Sequence, residues 1–221
     1  MKSRIRSICV KHLDEDCEKE TVKVEDKLIE FSVRTLQDNG CIKLCKNFLT
    51  LDESLTLYDE LLNSMQWSQS DIVVYGKTTK SPRMQCWMAN EGVNASLYLK
   101  TSPTPWTHNI LKIKHYLESF LDFKFDYVLM NYYRDGNDCN GYHSDNEALS
   151  IEKNVVASIS LGHSRRFLLK HKIDRTHVIE YILNSGSLLL MIHDTQKHWL
   201  HSIPKEKRVK QGRINLTFRK S

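Results

Sequence analysis

The sequence predicts an α+β protein whose C-terminal half is an antiparallel sandwich or jelly roll. From residue 125 onward, seven short β-branched or aromatic runs are separated by Gly, Asn, Asp and Pro. They are FDYVLMNYY, VVASISL, RRFLLKH, HVIEYIL, GSLLLMI, HWLHSI and RINLTFR. Two segments with helical periodicity precede them, and 221 residues suffice for a substantial core. Hydrophobic residues make up 40% and charged residues 27%, values typical of a soluble globular chain rather than a disordered one.

The two helical segments and one strand precede the β-rich half. In LDESLTLYDELLNSMQW the apolar side chains recur at three- and four-residue steps, as Leu51, Leu55, Tyr58, Leu62 and Met65. This spacing predicts an amphipathic helix with Asp52 or Ser54 near its start. TPWTHNILKIKHYLESFL predicts a second helix that begins near the prolines at 103 and 105. DIVVYGK predicts a strand followed by a glycine-containing turn.

The first 36 residues differ in composition from the rest. They are rich in lysine and glutamate and show little periodicity, so we expect an N-terminal extension, partly ordered at best, ahead of one domain at 37–221. No apolar run approaches the ~18 residues that a membrane span needs. The N-terminus has no apolar core of a secretion signal, so we expect a nuclear or cytoplasmic protein that is not secreted.

Six cysteines are present without a paired C-x-x-C pattern. They are interpreted as free thiols in a reducing compartment. Cys41 and Cys45 have no second Cys or His pair at a fitting distance, so we expect them to be structural rather than zinc ligands.

The formal net charge of +5 is compatible with a polyanionic partner. Basic residues concentrate in SRRFLLKHK (164–172) and in KEKRVKQGR (205–213). A solvated charged loop is an equally good interpretation of either run taken alone.

The stretch GYHSDNEAL places His143 and Asp145 two residues apart, with Glu147 continuing the pattern. In an extended segment these side chains share one side, which makes either a solvated polar edge or a set of metal ligands. Further along, HDTQKHWLHSIP offers three histidines, any of which could complete a set of two histidines and one carboxylate: His193, His198 and His201. Such a set is used by non-haem Fe(II) oxygenases. Periodicity does not select among the three.

The last run, RINLTFR, alternates completely between polar and apolar residues. Its polar face consists of Arg213, Asn215, Thr217 and Arg219. This face either lies in water or turns inward, where two arginines need an anionic partner such as a dicarboxylate. In MNYYRDG, Asn131 and Tyr133 share a face and can also hydrogen-bond a carboxylate.

In order and spacing, NYYRDGNDCNGYHSDNE, HDTQKHWLHSIP and GRINLTFRK resemble the AlkB family of Fe(II)- and 2-oxoglutarate-dependent dioxygenases, and most closely its nucleic-acid repair branch. The resemblance covers about residues 38–221. VYGKTTKSPRMQ (74–85) resembles the nucleotide-recognition lid of that branch. The resemblance therefore implies a double-stranded β-helix (jelly-roll) core at about 125–221, supporting helices and a lid at about 71–100.

The resemblance also implies roles for individual residues. His143, Asp145 and His201 match the metal ligands. The 2-oxoglutarate pocket is matched by Asn131, Tyr133, Arg213, Asn215, Thr217 and Arg219, with Arg213 at the distal carboxylate and Arg219 near the iron-bound end. The predicted substrate contacts are Tyr75, which fills the gap left by a flipped base, Arg83 and Gln85 of the lid, Glu147 facing the base, and Arg165, Lys207 and Arg208 near the nucleic-acid backbone.

One segment departs from the family. GVNASLYLK has Asn94 and Ser96 where the family usually carries an aromatic pair that stacks on the damaged base. Tyr98 or Trp87 could substitute after a small shift.

The expected activity is oxidative demethylation of N-alkylated bases in DNA or RNA. The resemblance implies Fe(II), O2 and 2-oxoglutarate as cofactor and cosubstrates, with formaldehyde, succinate and CO2 as products. We expect a monomer with a nucleic-acid partner and no membrane association. Two alternatives stay open: a protein side-chain hydroxylase of the same fold, and a catalytically silent nucleic-acid-binding module.

Overall fold

The computed structural model describes residues 10–11, 17–25, 27–74, 76–93, 101–145 and 154–221. Over these residues the chain forms fifteen strands and three helices. In chain order they are β1 Val10–Lys11, β2 Glu18–Val24, β3 Lys27–Thr35, β4 Gly40–Cys45, α1 Leu51–Ser64, β5 Asp71–Val74, β6 Lys77–Lys80, β7 Met84–Ala89, α2 His108–Leu121, β8 Tyr127–Tyr133, β9 Asn140–His143, β10 Val155–Gly162, β11 Arg165–His171, β12 Val178–Leu183, β13 Leu188–His193, α3 Thr195–His198, β14 Trp199–Ile203 and β15 Arg213–Arg219.

The strands form two main sheets and a separate hairpin. The large sheet has the order β2-β3-β4-β13-β10-β15-β8-β7, and all its neighbours are antiparallel. The small sheet has the order β1-β12-β11-β14-β9, antiparallel except for β1 beside β12. β5 and β6 form the hairpin. The seven predicted runs are confirmed as strands β8 and β10–β15.

The large sheet is covered on both faces. One face packs against α1 and α2 through buried residues such as Leu61, Ile110 and Phe218. The other face packs against the small sheet, where Met191 meets residues such as Phe167. In the central strands β10 and β15 both faces are buried. Their apolar residues pack on the helix side, and their polar residues lie on the inner side, toward the small sheet.

Helix α1 begins with a capping box. Thr50 is its N-cap: its side chain accepts from the Glu53 amide at 3.2 Å, and the Glu53 carboxylate accepts from the Thr50 amide at 2.7 Å. The buried stripe of this helix differs from the prediction, because Leu57 and Leu61 are buried while Leu51 is 67% exposed. No helix in the described ranges is both long and apolar enough to cross a bilayer.

The prediction that residues 1–36 form an extension outside the domain is wrong for 18–35. β2 and β3 form a hairpin whose second strand pairs with β4 of the large sheet. In β3, Ile29 and Phe31 are buried against the helices, whereas Glu30 between them is exposed. Charged residues are common on the exposed face of strands near a sheet edge, which accounts for the lysine and glutamate content of this segment. Residues 1–9 and 12–16 lie outside the described ranges.

The two cysteines considered as zinc ligands lie in β4. Cys41 and Cys45 are both buried, and burial raises the pKa of each thiol. A buried thiol with a raised pKa is a poor source of thiolate, which agrees with a structural role.

Candidate active site

Three of the predicted metal ligands meet on the small sheet. His201 in β14 pairs directly with His143 at the end of β9, and Asp145 follows two residues later. Their ligand atoms all lie within 4.8 Å of one another. In the described part of the chain this is the group of three or more His, Cys, Asp and Glu side chains close enough to hold a metal, and it includes neither His193 nor His198. The pairing of β14 with β9 therefore selects His201 as the third ligand candidate, a choice that the periodicity of the sequence left open.

Neighbouring groups orient these side chains for coordination. The His143 Nδ1 lies 2.9 Å from the carbonyl oxygen of Gly141, which can only accept, so Nδ1 carries the proton and Nε2 the lone pair. That Nε2 lies 3.7 Å from Asp145 Oδ1, and the His201 Nε2 lies 3.9 Å from Asp145 Oδ2. Phe167 stacks on the His201 ring at 5.5 Å and 19°.

The electrostatics of the cluster favour a metal cation. Burial alone would raise the pKa of Asp145, but the Arg219 guanidinium at 2.9 Å outweighs this effect and holds the pKa below its usual value. Burial lowers the pKa of His201 to about 3 and also lowers that of His143. The carboxylate is thus charged and both imidazoles are neutral, as ligation requires. Asp145 Oδ2, which is buried, has no hydrogen-bond partner among the described residues.

The polar face of β15 turns inward, as one of the two interpretations of RINLTFR predicted. All seven of its residues are buried. Arg213 is 1% exposed, and its Nη2 donates to Ser160 Oγ at 2.8 Å. Its Nε and Nη1 are buried without a hydrogen-bond partner in the described ranges. Burial lowers the pKa of Arg213 to about 10, so the guanidinium is still charged at neutral pH.

A buried cation with unused donors needs an anion. Arg213 lies 5.4 Å from the centre of the Tyr133 ring, and both line the same cavity of about 340 Å³ as the three metal-ligand candidates. The arrangement fits a carboxylate at Arg213 and a metal ion at His143, Asp145 and His201 within the same cavity. Other inner-face residues that line this cavity are Asn131, Ser158, Asn215, Thr217 and Arg219.

The predicted lid residues Arg83 and Gln85 also line the cavity, but both reach Asn131. Arg83 Nε and Gln85 Nε2 donate to the same atom, Asn131 Oδ1, at 2.8 and 2.9 Å. From the hairpin side, Asp71 and Ile72 of β5 complete the wall. Arg83 and Gln85, which were predicted to contact the substrate, therefore form one hydrogen-bonded group with Asn131, which was predicted to contact the cosubstrate.

The prediction that Arg165 contacts a nucleic-acid backbone is wrong. Arg165 is 1% exposed. Its guanidinium binds the Glu206 carboxylate at 2.9 Å and accepting carbonyl oxygens of Asp138 and Pro204 at 2.9 and 2.7 Å. In RRFLLKH the first arginine shares the two-residue period of the buried Phe167, so the alternation already indicated an inward side chain.

Lys207 and Arg208 are exposed in the loop between β14 and β15. This loop packs tightly against the one before β9, since Gly136 exchanges backbone hydrogen bonds with Glu206 and Val209. A Cβ at Gly136 would lie 1.8 Å from the Glu206 carbonyl oxygen, so only glycine fits. The two basic side chains are therefore presented from a fixed loop.

The predicted base contacts Tyr75 and Glu147 lie outside the described ranges, as do Asn94, Ser96 and the possible substitute Tyr98 in the segment that departs from the family. Trp87 is described and does not line the cavity: it is 3% exposed, packs edge-on against Tyr127, and donates through Nε1 to the Thr101 carbonyl at 2.7 Å.

Three residues that contact the site were missed by sequence reasoning. Asn140 Nδ2 lies 3.1 Å from His143 Nε2 and donates to the lone pair that a metal ion would use, so this contact would have to give way on metal binding. Gln196 Oε1 accepts from the Asp145 amide at 2.8 Å. Ser160 receives the Arg213 bond described above. Only Ser160 carried a signal, since strand VVASISL is apolar except for its two serines.

Comparison with known proteins agrees with this geometry. Residues 42–219 match the profile of the 2OG-Fe(II) oxygenase superfamily. A relative named DNA oxidative demethylase ALKBH2, from Homo sapiens, is 34% identical over 179 residues, which cover 76% of this chain and 69% of that protein. The chain belongs to the AlkB family of 2OG-Fe(II) oxygenases. This oxygenase spans about two thirds of the length of such relatives.

Two further similarities support the assignment. Alpha-ketoglutarate-dependent dioxygenase alkB homolog 3 from Bos taurus is 31% identical over 185 residues, covering 80% of this chain and 64% of that protein. A solved structure described as that of OsALKBH1 superposes with a TM-score of 0.62 at 18% identity, covering 86% of this oxygenase and all of that chain. The last comparison bears on the fold alone.

Proposed function

We propose that this oxygenase demethylates N-alkylated bases in DNA or RNA, using Fe(II), O2 and 2-oxoglutarate and releasing formaldehyde, succinate and CO2. One observation carries the proposal: the His-Asp-His group and the buried guanidinium of Arg213 line a single cavity. The similarity to proteins named as DNA oxidative demethylases supports the substrate class.

Each inner-face residue has a part in this proposal. His143, Asp145 and His201 would hold the iron, and Arg219 holds the Asp145 carboxylate in place. Arg213 would bind the distal carboxylate of 2-oxoglutarate, since a guanidinium pairs with a carboxylate through two parallel N–H groups. Bound Fe(II) and 2-oxoglutarate supply the family's oxidising chemistry, which couples decarboxylation of the cosubstrate to oxidation of an N-methyl group. The protein supplies ligation, orientation and a dry cavity.

We interpret the two facing sheets as a double-stranded β-helix and the β5–β6 hairpin as the start of the lid. The hairpin contributes Asp71 and Ile72 to the cavity wall, which supports this interpretation. Its outer strand, Lys77–Lys80, is exposed throughout and carries a lysine at each end.

The proposed substrate must leave the base stack to reach the ligand set. Asp145 and His201 are 3% and 7% exposed, so a base held inside a duplex cannot approach them. Lys207 and Arg208 would contact phosphates near the entrance without reading sequence. We place the enzyme, as a monomer, in the nucleus or cytoplasm, where alkylated nucleic acid is found.

Succinate release tests the proposal. Purified protein is incubated with Fe(II), 2-oxoglutarate and either an N-methylated oligonucleotide or the same sequence without methyl groups. The proposal expects succinate well above background only with the methylated strand, and none from Asp145→Ala. Succinate formed only with a protein substrate would support the side-chain hydroxylase instead. Oligonucleotide binding without any succinate would support the silent module.

A further inference from the structure

The amide of Asn131 is held in one orientation. Its Oδ1 accepts from Arg83 Nε at 2.8 Å and from Gln85 Nε2 at 2.9 Å. An arginine nitrogen can only donate, so the Asn131 atom facing it must be the oxygen. Amide flips are normally ambiguous, but here the guanidinium decides the orientation. The remaining donor of the amide, Nδ2, is then the group that can bind an acceptor in the cavity that Asn131 lines.

The same pattern continues along the inner face of the large sheet. Gln85 pairs with Asn131 across β7 and β8, and Asn131 pairs with Asn215 across β8 and β15. The Asn215 amide is also fixed, because its Nδ2 donates to the backbone carbonyl oxygen of Ile159 at 3.2 Å, which can only accept. Three amide side chains therefore follow one another across β7, β8 and β15 on the cavity side of the sheet, and Arg213 lies two residues before the last of them in β15.

We infer that Arg83 and Gln85 are positioning residues for 2-oxoglutarate, acting through Asn131, in addition to any contact with a nucleotide. The inference rests on the proposed function. Gln85 is 9% exposed and lies on a strand of the large sheet rather than in the hairpin. Its side chain therefore forms part of the cavity lining. Losing either donor leaves the Asn131 amide held by one hydrogen bond instead of two, so it orients its Nδ2 less firmly. Losing both would let the amide rotate and present its oxygen to a carboxylate, which is repulsive.

A matched control exists in the same region. Gln69 donates through Nε2 to the Ser81 carbonyl at 2.6 Å, at the base of the hairpin, and does not line the cavity. Gln69→Leu removes a comparable amide bond and leaves the Asn131 contacts in place. Gln85→Leu and Arg83→Met remove one donor each from Asn131.

The test is a titration of 2-oxoglutarate into anaerobic Fe(II)-loaded protein without nucleic acid, followed by the visible charge-transfer absorption of the complex. We expect Gln85→Leu and Arg83→Met each to weaken binding by about three- to tenfold, the worth of one hydrogen bond, and Gln69→Leu to leave it unchanged. In an Asn131→Ala background, Gln85→Leu should have no further effect, since its partner is gone.

The outcomes separate this inference from the proposed function. If wild type develops no absorption with 2-oxoglutarate, the proposed function itself fails. If wild type binds normally and Gln85→Leu and Arg83→Met bind equally well, only the inference is overturned. A loss that is the same in the Asn131→Ala background as in wild type also overturns it, because the effect would not pass through Asn131.

Discussion

The Arg219 guanidinium donates to Asp145 Oδ1 at 2.9 Å, on a carboxylate that is 3% exposed. One oxygen of the carboxylate is thereby held from β15 of the large sheet, while Oδ2 faces the His201 imidazole of the small sheet. The link joins the two sheets at the ligand set. It also keeps Asp145 ionised, because it opposes the effect of burial on its pKa.

Arg219→Met should therefore weaken metal binding without removing a ligand. Partners that orient metal ligands typically contribute about 10–100-fold in affinity, and we expect a loss in that range. Titration with Mn(II), read by the decrease of its free-ion signal in electron paramagnetic resonance, measures it. Unchanged affinity would show that the Arg219 contact does not orient Asp145.

The choice of third histidine is tested by a pair of variants. His201→Ala should abolish iron-dependent turnover, as Asp145→Ala should, with the circular dichroism of the folded protein retained. His198→Ala should lose far less, because His198 lies in α3 outside the ligand group. A larger defect in His198→Ala than in His201→Ala would contradict the assignment.

Arg213→Lys separates the cosubstrate site from the metal site. The variant keeps the charge but loses the planar fork, so a bidentate pair cannot form. We expect the apparent requirement for 2-oxoglutarate to rise by a factor of about ten or more. Oligonucleotide affinity should hardly change, because Arg213 is 1% exposed. Parallel titrations of cosubstrate and oligonucleotide check both statements; the opposite pattern would place Arg213 on the nucleic-acid surface.

The basic residues near the site should fall into two classes. Replacing Lys207 and Arg208 by alanine should weaken oligonucleotide binding and reduce the salt slope by about one per lost phosphate contact, with stability unchanged. Arg165→Met should instead lower the free energy of unfolding by roughly 3–5 kcal/mol, since it leaves the partly buried Glu206 carboxylate unpaired. Salt-dependent binding and denaturant unfolding of both variants give the comparison. An Arg165→Met protein of normal stability would refute the buried assignment.

A buried ion pair far from the site sets part of the acid stability. Glu118 accepts from Lys114 Nζ at 2.8 Å and from the Phe125 amide at 2.9 Å. Burial alone would raise the pKa of Glu118, but these donors and Lys124 hold it below its usual value. A folded-state pKa below the unfolded one stabilises the protein above about pH 4.3, and this stabilisation is lost as the pH falls through the folded value.

Glu118→Gln should thus be destabilised by about 3–5 kcal/mol at neutral pH, because Lys114 is left buried and unpaired. The difference from wild type should stay constant down to about pH 4.3 and shrink only as the pH falls further, through the lowered folded-state pKa of Glu118. Urea unfolding at several pH values measures it. A difference that is constant with pH would mean that the charge of Glu118 contributes nothing.

The prediction from sequence agreed with the structure where polar and apolar residues alternate at a fixed period. RINLTFR alternates strictly, and its polar residues do form the cavity floor. His143 and Asp145 could be picked out because they lie two residues apart, so that in an extended segment they share one side. The choice of His201 from spacing alone was not possible, since it depends on the pairing of β14 with β9.

The misses have physical causes. Arg165 was assigned to the surface by its charge, although its position in the alternation was that of a buried residue. The β2–β3 hairpin was overlooked because its outer face is charged, and because its pairing with β4 and its packing against the helices are not visible in the sequence. Asn140 and Gln196 contact His143 and Asp145, but no periodicity in the sequence relates either residue to that pair.

The most direct test of the central claim is mass spectrometry of the oligonucleotide itself. A strand with one N-methylated base is incubated with the wild-type protein, Fe(II) and 2-oxoglutarate in air, beside Asp145→Ala. The account predicts that wild type removes the methyl group and releases formaldehyde and succinate in equal amounts, while the variant leaves the strand intact. A strand that stays methylated with protein shown to bind both Fe(II) and 2-oxoglutarate would contradict it.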